Sequence, residues 1–208
     1  TMLKIYGKST SINVRKVLWT CVELNEPFTQ EDYGSGFTST LTPEFLAMNP
    51  NGMVPVIQDD DVTLWESNVI CRYLTQRRGR DDLLPSTPAS RAKVEQWMDW
   101  QASELNNSWR YAFMSLVRQH ADYQNPSLLT AGVAHWNHHM TILDAQLNRT
   151  GAFVTGETFT LADVVLGLST HRWMAAPIAH AHLPAVTAYY DRLGARAGFM
   201  AHGRNGMP

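Results

Sequence analysis

The stretch RDDLLPSTPAS at residues 80–90 divides the chain into two parts with different apolar periodicities, and no single regular architecture satisfies both. Ahead of it, short alternating runs are interleaved with helical spacing. Leu3-Lys4-Ile5-Tyr6 alternates as a strand does, and Val14, Val17, Leu18, Cys21, Val22 and Leu24 recur at helical spacing over 11–24. Glu26-Pro27 should stop that helix near Asn25. Residues 28–33 read as a second strand, 34–42 as a polar loop and 43–48 as a short helix. The runs MVPVI and VTLW, separated by three aspartates, read as a hairpin, followed by a helix over 66–78. The resulting order, βαβ, short α, ββα, predicts a small mixed sheet with helices on its faces.

Behind the divide every periodic segment is helical: 90–119, 128–147, a helix opening at Phe159-Thr160-Leu161-Ala162-Asp163-Val164, and 184–195. Thr160 can cap that third helix, Asp163 can reach back to it, and Phe159 can pack onto Val164. The domains expected are therefore 2–80 (α/β), a linker at 81–89 and an all-α domain at 90–208; Thr1, ahead of Met2, is set aside. With 44% hydrophobic residues and seven Trp, both can build cores. A net charge of −2 offers no basic field for nucleic acid or an anionic membrane. No run reaches the roughly 18 apolar residues of a membrane span, and no signal-peptide apolar region is found, so a cytoplasmic location is expected. Cys21 and Cys71 fit neither a CxxC pair nor a disulfide framework and read as reduced packing thiols.

Three features carry chemistry. Pro55 lies inside an apolar run, and a proline that cannot donate to a ladder suggests an edge strand, open to an extended peptide guest. Glu66-Ser67-Asn68 opens a helix. As caps they are unremarkable, yet Ser67 and free helix N–H groups can take a carboxylate while Glu66 takes an ammonium. Ser9, Thr10, Ser11 and Asn13 crowd the start of the first helix as caps or as hydrogen-bond donors.

Five stretches, SINVRKVLWTCVEL (11–24), TPEFLAMNPNGMVPVI (42–57), LWESNVICRYL (64–74), LLPSTPASRAKVEQWMDW (83–100) and FTLADVVLG (159–167), resemble the cytosolic glutathione transferase family, of the bacterial type with a serine- or asparagine-like sulfur site. The resemblance implies a thioredoxin-like N-terminal domain that binds glutathione, an all-helical C-terminal domain, a hydrophobic electrophile in the cleft between them, and a homodimer. Glutathione would be co-substrate, with no metal. Val54-Pro55 matches the family's cis-proline, whose preceding residue pairs with the glutathione backbone, with Met53 beside it. Glu66-Ser67 matches the pair that holds the γ-glutamyl end. Ser11, then Asn13, then Ser9 are the sulfur-facing candidates. A hydroxyl donor and the helix N-terminus there would both favour thiolate over a thiol of ordinary pKa about 8.5. Trp109, Tyr111, Phe113 and Met114, with Trp173, are the expected electrophile lining; Arg110 and Arg118 read as a solvated face.

One departure stands out. From Val17 to Cys71 there is no Lys, Arg or His but nine Asp or Glu, so the cation that family members place near the glycine carboxylate is absent. Thr38, Ser39, Thr40, Asn51, Lys8, Arg15 or Arg72 are the available substitutes. Weak affinity follows, with a dissociation constant nearer millimolar than micromolar, a difference of about 4 kcal/mol. Alternative functions carried by the same features are a glutathione-dependent reductase, peroxidase, isomerase or dehalogenase, and a non-catalytic binding protein. His135, His138 and His139 share a helix face and read as surface histidines, and the three aspartates as a plain turn.

Overall fold

A computed structural model describes residues 1–208. Strand β1 (Leu3–Tyr6), helix α1 (Ile12–Glu23) and strand β2 (Phe28–Glu31) form a parallel crossover. After α2 (Pro43–Met48), strands β3 (Val56–Asp59) and β4 (Val62–Trp65) form the hairpin, and α3 (Ser67–Arg77) packs beside α1. The sheet order is β2-β1-β3-β4, with β3 antiparallel to β1. This is the thioredoxin-like α/β half, and the remainder is all helical. None of its helices is long and apolar enough to cross a membrane.

The hairpin corrects the open-edge expectation. Strand β3 is interior, with Tyr6 facing Val56 on one side and Trp65 facing Val56 on the other. Pro55 sits just before the first paired residue, where its missing N–H costs no ladder bond. The Val54–Pro55 peptide is cis. Nor are the aspartates all turn residues. Asp60 turns the chain at φ 52°, but Asp59 is buried and accepts from the Tyr73 hydroxyl (2.6 Å) and the Arg77 guanidinium (2.9 Å).

The long helix expected over 90–119 is α4 (Pro88–Trp100), a π-helical turn at Gln101–Leu105, and α5 (Asn106–Leu116). Helices α6 (Pro126–Thr150), α7 (Leu161–Ala175), α8 (Pro184–Leu193) and α9 (Ala197–His202) complete the half, α9 being unforeseen. At α7 the capping box is complete: Asp163 Oδ2 accepts from the Thr160 N–H and Oδ1 from the Val154 N–H, both at 2.9 Å, while the Tyr189 hydroxyl donates to Oδ1 at 2.7 Å.

Trp19 joins the halves. Its ring, fully buried on α1, meets Phe159 and Phe199, and a Cβ at Gly198 would come within 2.3 Å of it. Arg196 adds a two-pronged ion pair to Glu23, 3.0 Å on each arm. Helix α1 is thus held against α3 on one side and against α7 and α9 on the other, which fixes where its N-terminus points.

Candidate functional site

The loop from β1 into α1 passes close to Val54. A side chain at Gly7 (φ 152°) would strike Val14 at 2.4 Å and Val54 at 3.2 Å, so only glycine permits this approach. Ser11 is the N-cap of α1, and its hydroxyl oxygen accepts from the Val14 N–H at 3.4 Å. Ser9 turns outward, its hydroxyl accepting from the Gln30 amide at 2.9 Å while its carbonyl accepts from Arg15 at the same distance. Asn13, in the first turn, reaches across to α3, where the Ser67 hydroxyl donates to its Oδ1 at 3.4 Å. Both Asn13 amide protons are left without a partner in the protein.

The loop 49–55 is fixed by Asn49, a buried residue sequence reasoning passed over. Its amide donates to the Met53 carbonyl (2.8 Å) and its Oδ1 accepts from the Asn51 N–H (3.0 Å). The Asn49-Pro50 step just ahead of Asn51-Gly52 is the turn signal that could have found it. The loop so held leaves the Val54 N–H and C=O unpartnered. A cavity of about 120 Å³ lies over them, lined by Met53, Val54, Pro55, Asn51, Asn13, Glu66 and Ser67 among others. Thr40 is half-buried, and its carbonyl would lie 3.3 Å from a Cβ at Gly52.

Glu66 joins β4 to α3 at φ 74°, ψ 107° with its side chain exposed. A non-glycine residue there costs of order 1–3 kcal/mol, and such strain gathers at ligand sites. It turns the carboxylate and the first α3 N–H groups toward one space, a second cavity of about 260 Å³. Asn13, Glu66 and Ser67 belong to both cavities, so the two adjoin. The second is completed by Lys16, Asn68 and Arg72 and, from the helical half, by Asp99 in α4, Ala102 in the π turn and Asn106 in α5. Arg72 is engaged by Glu95 (3.7 Å) and Asp99 (3.9 Å), whereas Glu66 has no ion-pair partner. Lys16, 2% exposed, donates to the Asn68 Oδ1 at 3.2 Å, and burial pulls its ammonium down to about 8. It too was missed, because it stands opposite the apolar stripe of Val14, Val17, Leu18 and Cys21 on α1, where spacing alone reads a solvated lysine.

The aromatic nominees for an electrophile lining fall mostly elsewhere. Trp109, Phe113 and Trp173 are 3%, 5% and 1% exposed. Trp109 packs on Trp136, the Trp173 indole donates to Asn137 at 3.0 Å, and Phe113 lies 3.8 Å below the Arg172 guanidinium. They are core of the helical half, because helical spacing of aromatics marks a packed face and does not say whether that face meets a cleft. Tyr111 pairs with Tyr123, and its hydroxyl accepts from the Asn125 N–H. Met114 remains half-buried. Of the substitute cations, Lys8 donates to the Ser35 carbonyl (3.3 Å) and Arg15 to Ser9 and Met207, so neither lines the two cavities. His139, expected at the surface, is 7% exposed and stacks on Trp100. Cys21 and Cys71 are free and buried.

The chain is similar to known proteins of one family. The glutathione S-transferase N-terminal domain family matches residues 1–76. The chain is 34% identical over 197 residues to glutathione S-transferase GstB of Escherichia coli K12, covering 94% of each, and 28% identical over 207 residues to glutathione S-transferase F13 of Arabidopsis thaliana, covering 95% and 93%. Among solved structures, a theta class glutathione S-transferase from Xanthomonas axonopodis pv. citri with glutathione bound superposes with a TM-score of 0.92 at 32% identity over 99% of both chains.

Proposed function

The chain belongs to the cytosolic glutathione transferase family and is a glutathione transferase; from that premise we propose how its own residues bind glutathione and activate the thiol. The tripeptide spans the two adjoining cavities. Its cysteine backbone pairs with the free N–H and C=O of Val54, beside Pro55 and Met53, as an added strand would. Its γ-glutamyl end lies at the start of α3, where Glu66 takes the ammonium and Ser67, with the helix N–H groups, takes the carboxylate. Its glycine end runs toward Asn51 and the Thr40 loop, which carry no cation.

The sulfur then rests over the N-terminus of α1. The free Asn13 amide donates to it, and the helix dipole and Ser11 assist. A donor and a positive helix end both stabilise thiolate over thiol, which generates the nucleophile near neutral pH. Asn13 lines both cavities and Ser11 lines neither, so this reading ranks Asn13 ahead of Ser11 and leaves the exposed Ser9 outside the site. The thiolate attacks an electrophile in the cleft, forming the thioether. Met114 is the one nominee retained for its lining.

The observation that carries this reading is the meeting of Asn13, Glu66 and Ser67 in both cavities. Further proposals are a homodimer through the exposed apolar groove of Trp97, Trp100 and Ile142, and a cytoplasmic role in electrophile detoxification. Calorimetric titration and aryl-halide conjugation test the site. Glutathione should bind with a constant nearer millimolar than micromolar, about 4 kcal/mol weaker, for want of a glycine-end cation. Asn13→Ala should lose more conjugation rate than Ser11→Ala. A low-micromolar constant, or damage confined to Ser11→Ala, would overturn these assignments.

A further inference from the structure

The second cavity holds two anions and two cations, and their pairing is uneven. Arg72 already faces Glu95 and Asp99. That leaves Glu66 as an anion without a cation and Lys16 as a cation without an anion. No carboxylate comes within 4 Å of the Lys16 ammonium, and of its three N–H groups only one has a partner, the Asn68 Oδ1 at 3.2 Å. Asn68 is itself spent, since its amide donates to the Met98 carbonyl at 3.0 Å. A buried ammonium with two idle donors is costly to hold unless something anionic arrives. Lys16 lies one turn beyond Asn13 on α1 and lines the same cavity as Ser67.

Building on the glutathione reading, we infer that Lys16 is a binding residue of this transferase: its ammonium is the counter-charge for the α-carboxylate of the γ-glutamyl group, opposite Glu66, which holds the ammonium. The free charges of the cavity are then the mirror of a zwitterionic amino acid, one anion and one cation lining the same cavity as Ser67. The assignment also answers the charge deficit in 17–71, because a cation for anionic glutathione is supplied from α1, one residue before that stretch begins. It serves the γ-glutamyl end and leaves the glycine end bare.

The test compares glutathione with its γ-aminobutyryl analogue, which keeps the amine and lacks the α-carboxylate, each measured by calorimetry at pH 7 on wild type, Lys16→Met and Lys16→Arg, with thermal melts as fold control. Lys16→Met should weaken glutathione by about tenfold or more, as truncating one partner of a buried charge pair does. It should leave the analogue within about twofold, and Lys16→Arg should restore most of the glutathione affinity. Equal losses for both ligands, or an unchanged glutathione constant, would overturn the role of Lys16. Failure of wild type to bind glutathione at all would instead remove the site reading beneath it.

Discussion

Replacing Lys16 by Met should make the folded protein more stable at neutral pH while it weakens the ligand. Burial lowers the ammonium from 10.5 to about 8, with Arg172 pushing the same way and Cys71 and Glu66 opposing. At about 1.4 kcal/mol per unit, holding the charge in the fold costs about 3 kcal/mol. Met fills nearly the same volume without that cost, but it strands the Asn68 Oδ1, a loss of about 1–2 kcal/mol. The net gain at pH 7 is about 1–2 kcal/mol. Its pH dependence has a definite sign. The folded-state value lies below the unfolded one, so between about 8 and 10.5 the unfolded chain binds the extra proton and wild-type stability from this group rises with pH. The advantage of Lys16→Met is therefore largest below pH 8 and shrinks toward pH 10.5, and other titrations cancel in the difference. Guanidinium unfolding of both proteins at pH 7, 9 and 10 measures it. A gap that stays constant or widens with pH would refute the claim that an unpaired ammonium sits there.

Two packing predictions concern the frame that aims α1. Asp163→Ala strands the Val154 and Thr160 N–H groups and the Tyr189 hydroxyl, all buried, so denaturant unfolding should show a loss of about 3–5 kcal/mol; a loss below about 1 would contradict the capping role. Gly198→Ala drives a methyl into the Trp19 ring at 2.3 Å, and a loss of about 1–3 kcal/mol with altered Trp fluorescence is expected, whereas an unchanged melt would show that α9 can shift freely.

Much of the fold could be read from the chain because local signals agreed with one another. The Thr160–Asp163 box, the Pro43 start of α2 and the apolar stripe of α1 each specify an element without help from distant residues. What could not be read depended on pairing across the fold. Pro55 excludes itself from a ladder, but whether β3 lies at an edge or inside depends on β1 choosing it as a neighbour. The π turn at Gln101–Leu105 left the helical spacing nearly intact, and α9 is only six residues long. At the candidate site, Glu66, Ser67 and Val54-Pro55, each nominated from the sequence, line one cavity. Trp109, Phe113 and Trp173 were misassigned because aromatics on a helix stripe look alike whether they face a core or a cleft. Lys16 was not legible because it stands opposite the apolar stripe of α1, where spacing predicts solvent, and only the packing of α3 across it buries it.

The N-terminus of α1, with Asn13, is proposed to convert bound glutathione to its thiolate. Ultraviolet difference titration of the thiolate band, at saturating glutathione from pH 5 to 10, measures that ionisation directly. The bound thiol should titrate well below the free value of about 8.5, moving back toward it in Asn13→Ala and less so in Ser11→Ala. A bound thiol that titrates like free glutathione in the wild type, or one indifferent to Asn13→Ala, would contradict this proposal.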